Sequence, residues 1–107
     1  MINNEELINK IKTYNKFLNP NTLSKAYDFA IKAHKNQKRK SGDPYVIHPV
    51  AVANILSDLK LDSATIVTGL LHDTIEDTNA TYDIVLSEFG KEVADLVEVV
   101  TKISQLE

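Results

Sequence analysis

Apolar positions recur at spacings of three and four along nearly the whole chain, the period of amphipathic helices. Leu7, Ile8, Ile11 and Leu18 predict a first helix from about Asn4 to Phe17, closed by Asn19-Pro20. The residue before a proline is driven out of the helical region, so a helix ends there. Asn21 is positioned to cap a second helix that carries Leu23, Ala26, Tyr27, Ala30, Ile31 and His34 on one stripe. From Asn36 to Pro44 the periodicity gives way to Lys, Arg, Ser, Gly and Asp, which predicts a loop. Pro49 suits the first turn of a third helix, where its missing N–H has no partner to lose, and Val50, Ala53, Ile55, Leu56 and Leu59 follow. Asp62 or Ser63 caps a fourth helix, whose Ile66, Val67, Leu70 and Leu71 lead into an acidic cluster. Thr81 caps a short fifth helix ending near Gly90, and a sixth runs from Lys91 through Val93, Leu96, Val97, Val100 and Ile103. No stretch alternates with period two, so the fold class is all-α, a bundle of about six helices.

Length and composition narrow the class. The 107 residues form one domain, 1–107, with a modest core and no internal repeat or linker. With 43% hydrophobic and 25% charged residues, the chain is of ordinary globular type. A net charge of −3 argues against a general nucleic-acid binder, and no apolar run reaches the ~20 residues of a membrane span. Absence of cysteine excludes thiolate metal sites, disulfides and thiol nucleophiles. The start, Met-Ile-Asn-Asn-Glu-Glu, lacks the basic and apolar segments of a signal peptide, so a soluble cytoplasmic protein is expected.

The chemistry concentrates in Leu70-Leu71-His72-Asp73-Thr74-Ile75-Glu76-Asp77. On a continuous helix His72 and Glu76 share a face, as do Asp73 and Asp77. Such a cluster costs solvation and repels itself unless a cation or substrate compensates, whereas a merely solvated acidic helix end is also disfavoured by the helix dipole. His48, at the start of the third helix, comes opposite His72 and Asp73 if helices three and four run antiparallel. Two imidazoles and a carboxylate suit Mn²⁺, Fe²⁺ or Zn²⁺. Glu76 and Asp77 lie too far round the helix to be automatic ligands and fit a role in positioning or deprotonating the attacking water. Lys35, Lys38, Arg39 and Lys40, followed by Ser41, form a basic loop. Such loops are usually only solvated, but beside a metal-capable cluster their cations and hydroxyl suit phosphate. His34, on the apolar stripe, reads as structural. Tyr14, Tyr27, Tyr45 and Tyr82 read as packing residues, with Tyr45 placed to support the loop.

These residues resemble the hydrolase domain of RelA/SpoT-type proteins, a branch of the HD superfamily of metal-dependent phosphohydrolases. The resemblance is carried by Tyr27-Asp28-Phe29-Ala30, Ala33-His34, Gln37, the run Arg39-Lys40-Ser41-Gly42-Asp43-Pro44-Tyr45-Val46-Ile47-His48-Pro49, then Gly69 through Thr78, Phe89-Gly90 and Val100-Thr101-Lys102-Ile103. It extends from about Leu23 to Ser104. It implies an HD-domain-like helical bundle and Mn²⁺-dependent removal of pyrophosphate from the 3′ position of the guanosine tetra- and pentaphosphates ppGpp and pppGpp. His48, His72 and Asp73 match the metal ligands, Glu76 and Asp77 the acidic pair that assists the water, and Arg39, Lys40 and Ser41 the nucleotide loop.

The sequence also departs from that pattern. The family's fourth metal ligand, an aspartate in a motif of the type Ala-Asp-Arg-Leu-His-Asn, does not occur in these residues, nor does the helix that closes over the base. The bundle is therefore expected to be truncated, with an under-coordinated metal site, weak affinity and slow or absent hydrolysis. Val93, Leu96, Val97, Val100 and Ile103 are expected to form an exposed strip through which the chain self-associates. The alternative to an enzyme is a non-catalytic metal- or nucleotide-binding module that pairs with itself or with another RelA/SpoT-like chain.

Overall fold

A computed structural model describes residues 1–77 and 81–105. Along the chain it has α1 (Asn4–Lys12), α2 (Pro20–Ala33), α3 (Ile47–Asp58), α4 (Ser63–Leu71), α5 (Thr74–Asp77), α6 (Tyr82–Phe89) and α7 (Lys91–Gln105). Among the described residues no strand forms, apart from one isolated antiparallel bridge between Lys38 and Pro44. The all-α class and the bundle of about six helices are as expected, with the acidic segment set apart as the single turn α5. None of the described helices is long and apolar enough to cross a membrane.

Local side chains set most boundaries. Asn3 and Glu6 form a capping box at α1, each accepting from the other's backbone N–H. Contrary to the expected end at Phe17, α1 stops at Lys12. Thr13 Oγ1 donates to Lys10 O, the Tyr14 hydroxyl reaches away to Leu61 O at 2.7 Å, and Phe17 is 98% exposed, with nothing to bury. α2 is capped by Asn19 rather than Asn21: the Asn19 side chain accepts from the Asn21 N–H, with Pro20 in the first turn. Asp62 caps α4, and Thr81 caps α6, which ends at Gly90 with φ of 89°.

α4 is the centre of the molecule. Six consecutive residues, Ile66 to Leu71, are buried, and α2, α3 and α7 all pack on this helix. Its closest neighbour is α3, and Gly69 makes the approach feasible. A Cβ there would stand 2.7 Å from Leu56 Cδ1, 3.5 Å from Val52 Cγ1 and 3.8 Å from Ala53 Cα. The short link from Leu59 to Asp62 returns the chain antiparallel, so the start of α3 lies beside the end of α4. Leu7 and Ile11 from α1, Leu23, Ala26 and Ala30 from α2, and Val93, Ala94 and Val97 from α7 complete the core.

The apolar strip expected on the last helix is narrower than its periodicity suggested. Val93 and Val97 are buried, because α7 turns that side towards α4 and α6. Leu96, Val99, Val100 and Ile103 remain exposed.

Candidate metal centre

The antiparallel pairing of α3 and α4 brings His48, His72 and Asp73 together, so that one donor atom from each lies within 4.8 Å of the others. His48 sits in the first turn of α3, one residue before Pro49. The two imidazole centroids are 5.4 Å apart, with the rings inclined at 67°. Asp73 Oδ2 lies 3.1 Å from His72 Nε2 and 3.7 Å from His48 Nε2. The 3.1 and 3.7 Å separations approach the roughly 3.0–3.5 Å that stands between ligands about 2.0–2.2 Å from one transition-metal ion, and two imidazoles with a carboxylate have the donor chemistry for a divalent cation.

The fourth helix does not continue through the site as the sequence suggested. It ends at Leu71, and His72 and Asp73 form a turn before α5. Side chains there compete for helical carbonyls: His72 Nδ1 is 2.6 Å from Gly69 O, and Thr74 Oγ1 donates to Leu71 O at 2.8 Å. The first contact has a chemical consequence. A carbonyl only accepts, so Nδ1 carries a proton and Nε2 is the ring nitrogen turned towards Asp73 and His48, the arrangement of a metal-ligating histidine. From α7, Thr101 Oγ1 stands 2.8 Å from Val97 O and 3.3 Å from His72 O, which braces the turn.

The electrostatics match this arrangement. Burial would raise the Asp73 carboxyl, but hydrogen bonds from His72 and Tyr45 and the two neighbouring imidazoles outweigh it and hold the group below its ordinary value. Its side chain is only 13% exposed. For His48, burial lowers the pKa. The Asp73 charge opposes this, while His72, Arg39 and His34 push further down. A low proton affinity leaves imidazole nitrogen free to bind a cation.

Beside this centre, Gln37, Lys38, Arg39, Lys40, Ser41 and Tyr45 line an open hollow of about 560 Å³. Gly42, with φ of 91°, turns the loop, and its N–H donates to Arg39 O at 2.8 Å. Arg39 N–H in turn donates to Asp43 O at 2.9 Å, and Ser41 Oγ donates to Asp43 Oδ2 at 3.1 Å. The basic side chains are exposed, as a phosphate-binding surface requires.

Arg39, Lys40 and Ser41 are thus placed together, and so are His48, His72 and Asp73. The backbone of Glu76 and Asp77 belongs to α5, immediately after the centre, but their side chains lie outside the described residues, as does Thr78. His34 is buried at the end of α2, where Nδ1 lies 2.7 Å from Gln37 Oε1, in keeping with a structural role. Sequence reasoning undervalued Tyr45, whose hydroxyl donates to Asp73 Oδ2 at 2.8 Å. Its place between the basic loop and His48 was the available signal. Thr101 stood out only as part of the family-like run Val100-Thr101-Lys102-Ile103, with nothing local to tie it to His72.

The comparisons with known proteins agree with this geometry. The HD domain family matches residues 26–107. The chain is 48% identical over all 107 residues to the GTP pyrophosphokinase rsh of Brucella melitensis, covering 14% of that protein. It is 59% identical over 83 residues, 78% of the chain, to the GTP pyrophosphokinase of Myxococcus xanthus, covering 11% of it. Over 84 residues, again 78% of the chain, it is 51% identical to the guanosine-3′,5′-bis(diphosphate) 3′-pyrophosphohydrolase of Aquifex aeolicus, covering 12% of it. The chain therefore spans about a seventh or less of the length of these relatives. With its helical scaffold, its His72-Asp73 pair at a helix end and a match over most of its residues, the chain belongs to the HD domain family, in the stretch it shares with RelA/SpoT-type proteins.

Proposed function

We propose that this chain is a metal-dependent phosphohydrolase module acting on guanosine 3′-diphosphates of the ppGpp type. The observation that carries the reading is the convergence of His48, His72 and Asp73, with Nε2 of His72 turned towards the other two, beside a cationic hollow. The name of the Aquifex relative supplies the substrate class. Mn²⁺ as the ion and a cytoplasmic setting belong to the same proposal.

A divalent ion held by His48, His72 and Asp73 supplies Lewis-acid stabilisation of the negative charge that develops on a phosphoryl group. Arg39 and Lys40 bind the diphosphate, and Ser41 exchanges its bond to Asp43 for one to a phosphate oxygen. Glu76 and Asp77 take a proton from the attacking water and return one to the ribose 3′ oxygen. The P–O bond to that oxygen breaks. The hydroxyl of water ends on phosphorus, pyrophosphate leaves, and the nucleoside 5′-diphosphate remains. Only three metal donors converge among the described residues, so affinity is expected to be weak and turnover slow.

One observation favours a second reading. Leu96, Val99, Val100 and Ile103 leave an apolar face on α7, which suits a non-catalytic module that binds metal or nucleotide while paired with a like chain. Titrating Mn²⁺ into the chain while following ppGpp breakdown separates the two. Metal-dependent release of pyrophosphate that His72→Ala abolishes supports the enzyme, whereas metal binding with no turnover at any concentration refutes it.

A further inference from the structure

We infer that Tyr45 is a positioning residue that orients Asp73 for the metal and ties the metal centre to the nucleotide loop. The inference rests on reading His48, His72 and Asp73 as a cation site. The terminal torsion of an aspartate is broad, so a carboxylate with one partner can rotate and exchange its oxygens. Here the Tyr45 hydroxyl donates at 2.8 Å to Oδ2, the same oxygen that stands 3.1 Å from His72 Nε2 and 3.7 Å from His48 Nε2. A carboxylate oxygen has two in-plane lone pairs. With one engaged by the phenol, the other is directed between the imidazoles.

Tyr45 is itself immobilised from the opposite side. Its ring centroid lies 4.8 Å from that of buried His34 and 6.0 Å from that of His48. Its N–H donates to Gln37 O at 2.9 Å, and Gln37 is held to His34 through its own N–H and its side chain. Gln37 and Tyr45 also line the cationic hollow. One side chain thus spans the two halves of the site: a shift of the loop on binding phosphate moves the phenol, and the phenol moves Asp73. Hydrogen-bonding partners of metal-ligating side chains commonly carry a ten- to hundred-fold share of metal affinity.

The test is Mn²⁺ affinity, read from the free-ion electron paramagnetic resonance signal in the wild-type chain, in Tyr45→Phe and in Tyr14→Phe. Phenylalanine keeps the ring against His34, so the fold is retained, and circular dichroism checks that it is. Tyr14→Phe removes an equivalent phenol hydrogen bond, to Leu61 O, that touches no residue of the site. Tyr45→Phe is expected to weaken Mn²⁺ binding ten- to hundred-fold, with Tyr14→Phe unchanged. Equal affinity in the wild type and Tyr45→Phe, or an equal loss in both variants, overturns the inference while leaving the cation site standing. A wild-type chain that takes up no Mn²⁺ overturns the site reading, and the inference with it.

Discussion

Gly69 provides the sharpest test of how the fold makes the site, because it sets the distance between the helices that carry His48 and His72. Two effects oppose each other in Gly69→Ala. Replacing a glycine in the last turn of α4 by alanine gains at most about 1 kcal/mol of helix propensity. Against this, the new Cβ lies 2.7 Å from Leu56 Cδ1, a contact that cannot persist. That atom is the far end of a half-buried side chain, so a rotation of Leu56 relieves it. The result expected is a stability within about 1 kcal/mol of wild type, since overpacking of this kind costs about 1–3 kcal/mol before relaxation. Gly69→Val differs in kind. Its χ1 is confined to essentially one rotamer in a helix, and its two methyls must fit beyond a Cβ already crowded by Leu56, Val52 and the Ala53 backbone, the last of which yields only if α3 moves. A loss of about 2–3 kcal/mol is expected, or roughly 10–20 °C in the unfolding midpoint of a domain this size. Total stabilities of 5–15 kcal/mol are typical, so the variant still folds. Displacing α3 also carries His48 away from His72 and Asp73, so Mn²⁺ affinity should fall with Gly69→Val and hold with Gly69→Ala. Urea denaturation and Mn²⁺ titration of both variants measure the two effects. Wild-type stability together with wild-type affinity in Gly69→Val would refute the close-approach argument.

Two further predictions concern the loop and a cap. Arg39→Ala should raise the KM for ppGpp, or its Kd in the absence of turnover, by roughly ten- to hundred-fold, the worth of charge-assisted hydrogen bonds of about 1.5–3 kcal/mol, while Mn²⁺ affinity stays unchanged; an unaltered KM would remove Arg39 from the substrate site. At the start of α4, hydrogen bonds from the Thr65 side chain and backbone hold the Asp62 carboxyl below the ordinary value of 3.8, against a small opposing effect of burial. A depressed folded-state pKa means that the stabilisation is present above the unfolded value and is lost as pH falls through the folded one. Asp62→Asn keeps an oxygen to cap the helix but cannot titrate, so the unfolding free energy of the variant should depend less steeply on pH below about 4 than that of wild type. Parallel slopes in acid would show that Asp62 is not the group responsible.

Much of the molecule was legible in one dimension. Helix periodicity and the caps Asp62 and Thr81 depend on interactions within a turn or two, and these behave alike in any surroundings. Two of the misjudged features were decided elsewhere in the fold. α1 stops at Lys12 because Tyr14 finds Leu61 across the fold, and Val93 and Val97 leave the expected strip because α4 and α6 cover them. The continuous helix drawn through His72 and Asp73 was broken by side chains that capture the carbonyls of Gly69 and Leu71, a competition whose outcome sequence periodicity does not register.

By itself, then, the amino-acid sequence determined the helical class, the residues with metal and phosphate chemistry, and their assignment to two adjoining helices and a basic loop, because residue type and short-range spacing carry that information. Tertiary structure alone decided that Tyr45 belongs to the metal centre and that Thr101 supports its turn. Each of these depends on which group stands within about 3 Å of a given atom, and groups 28 or 29 residues apart in the chain meet only when the helices carrying them pack.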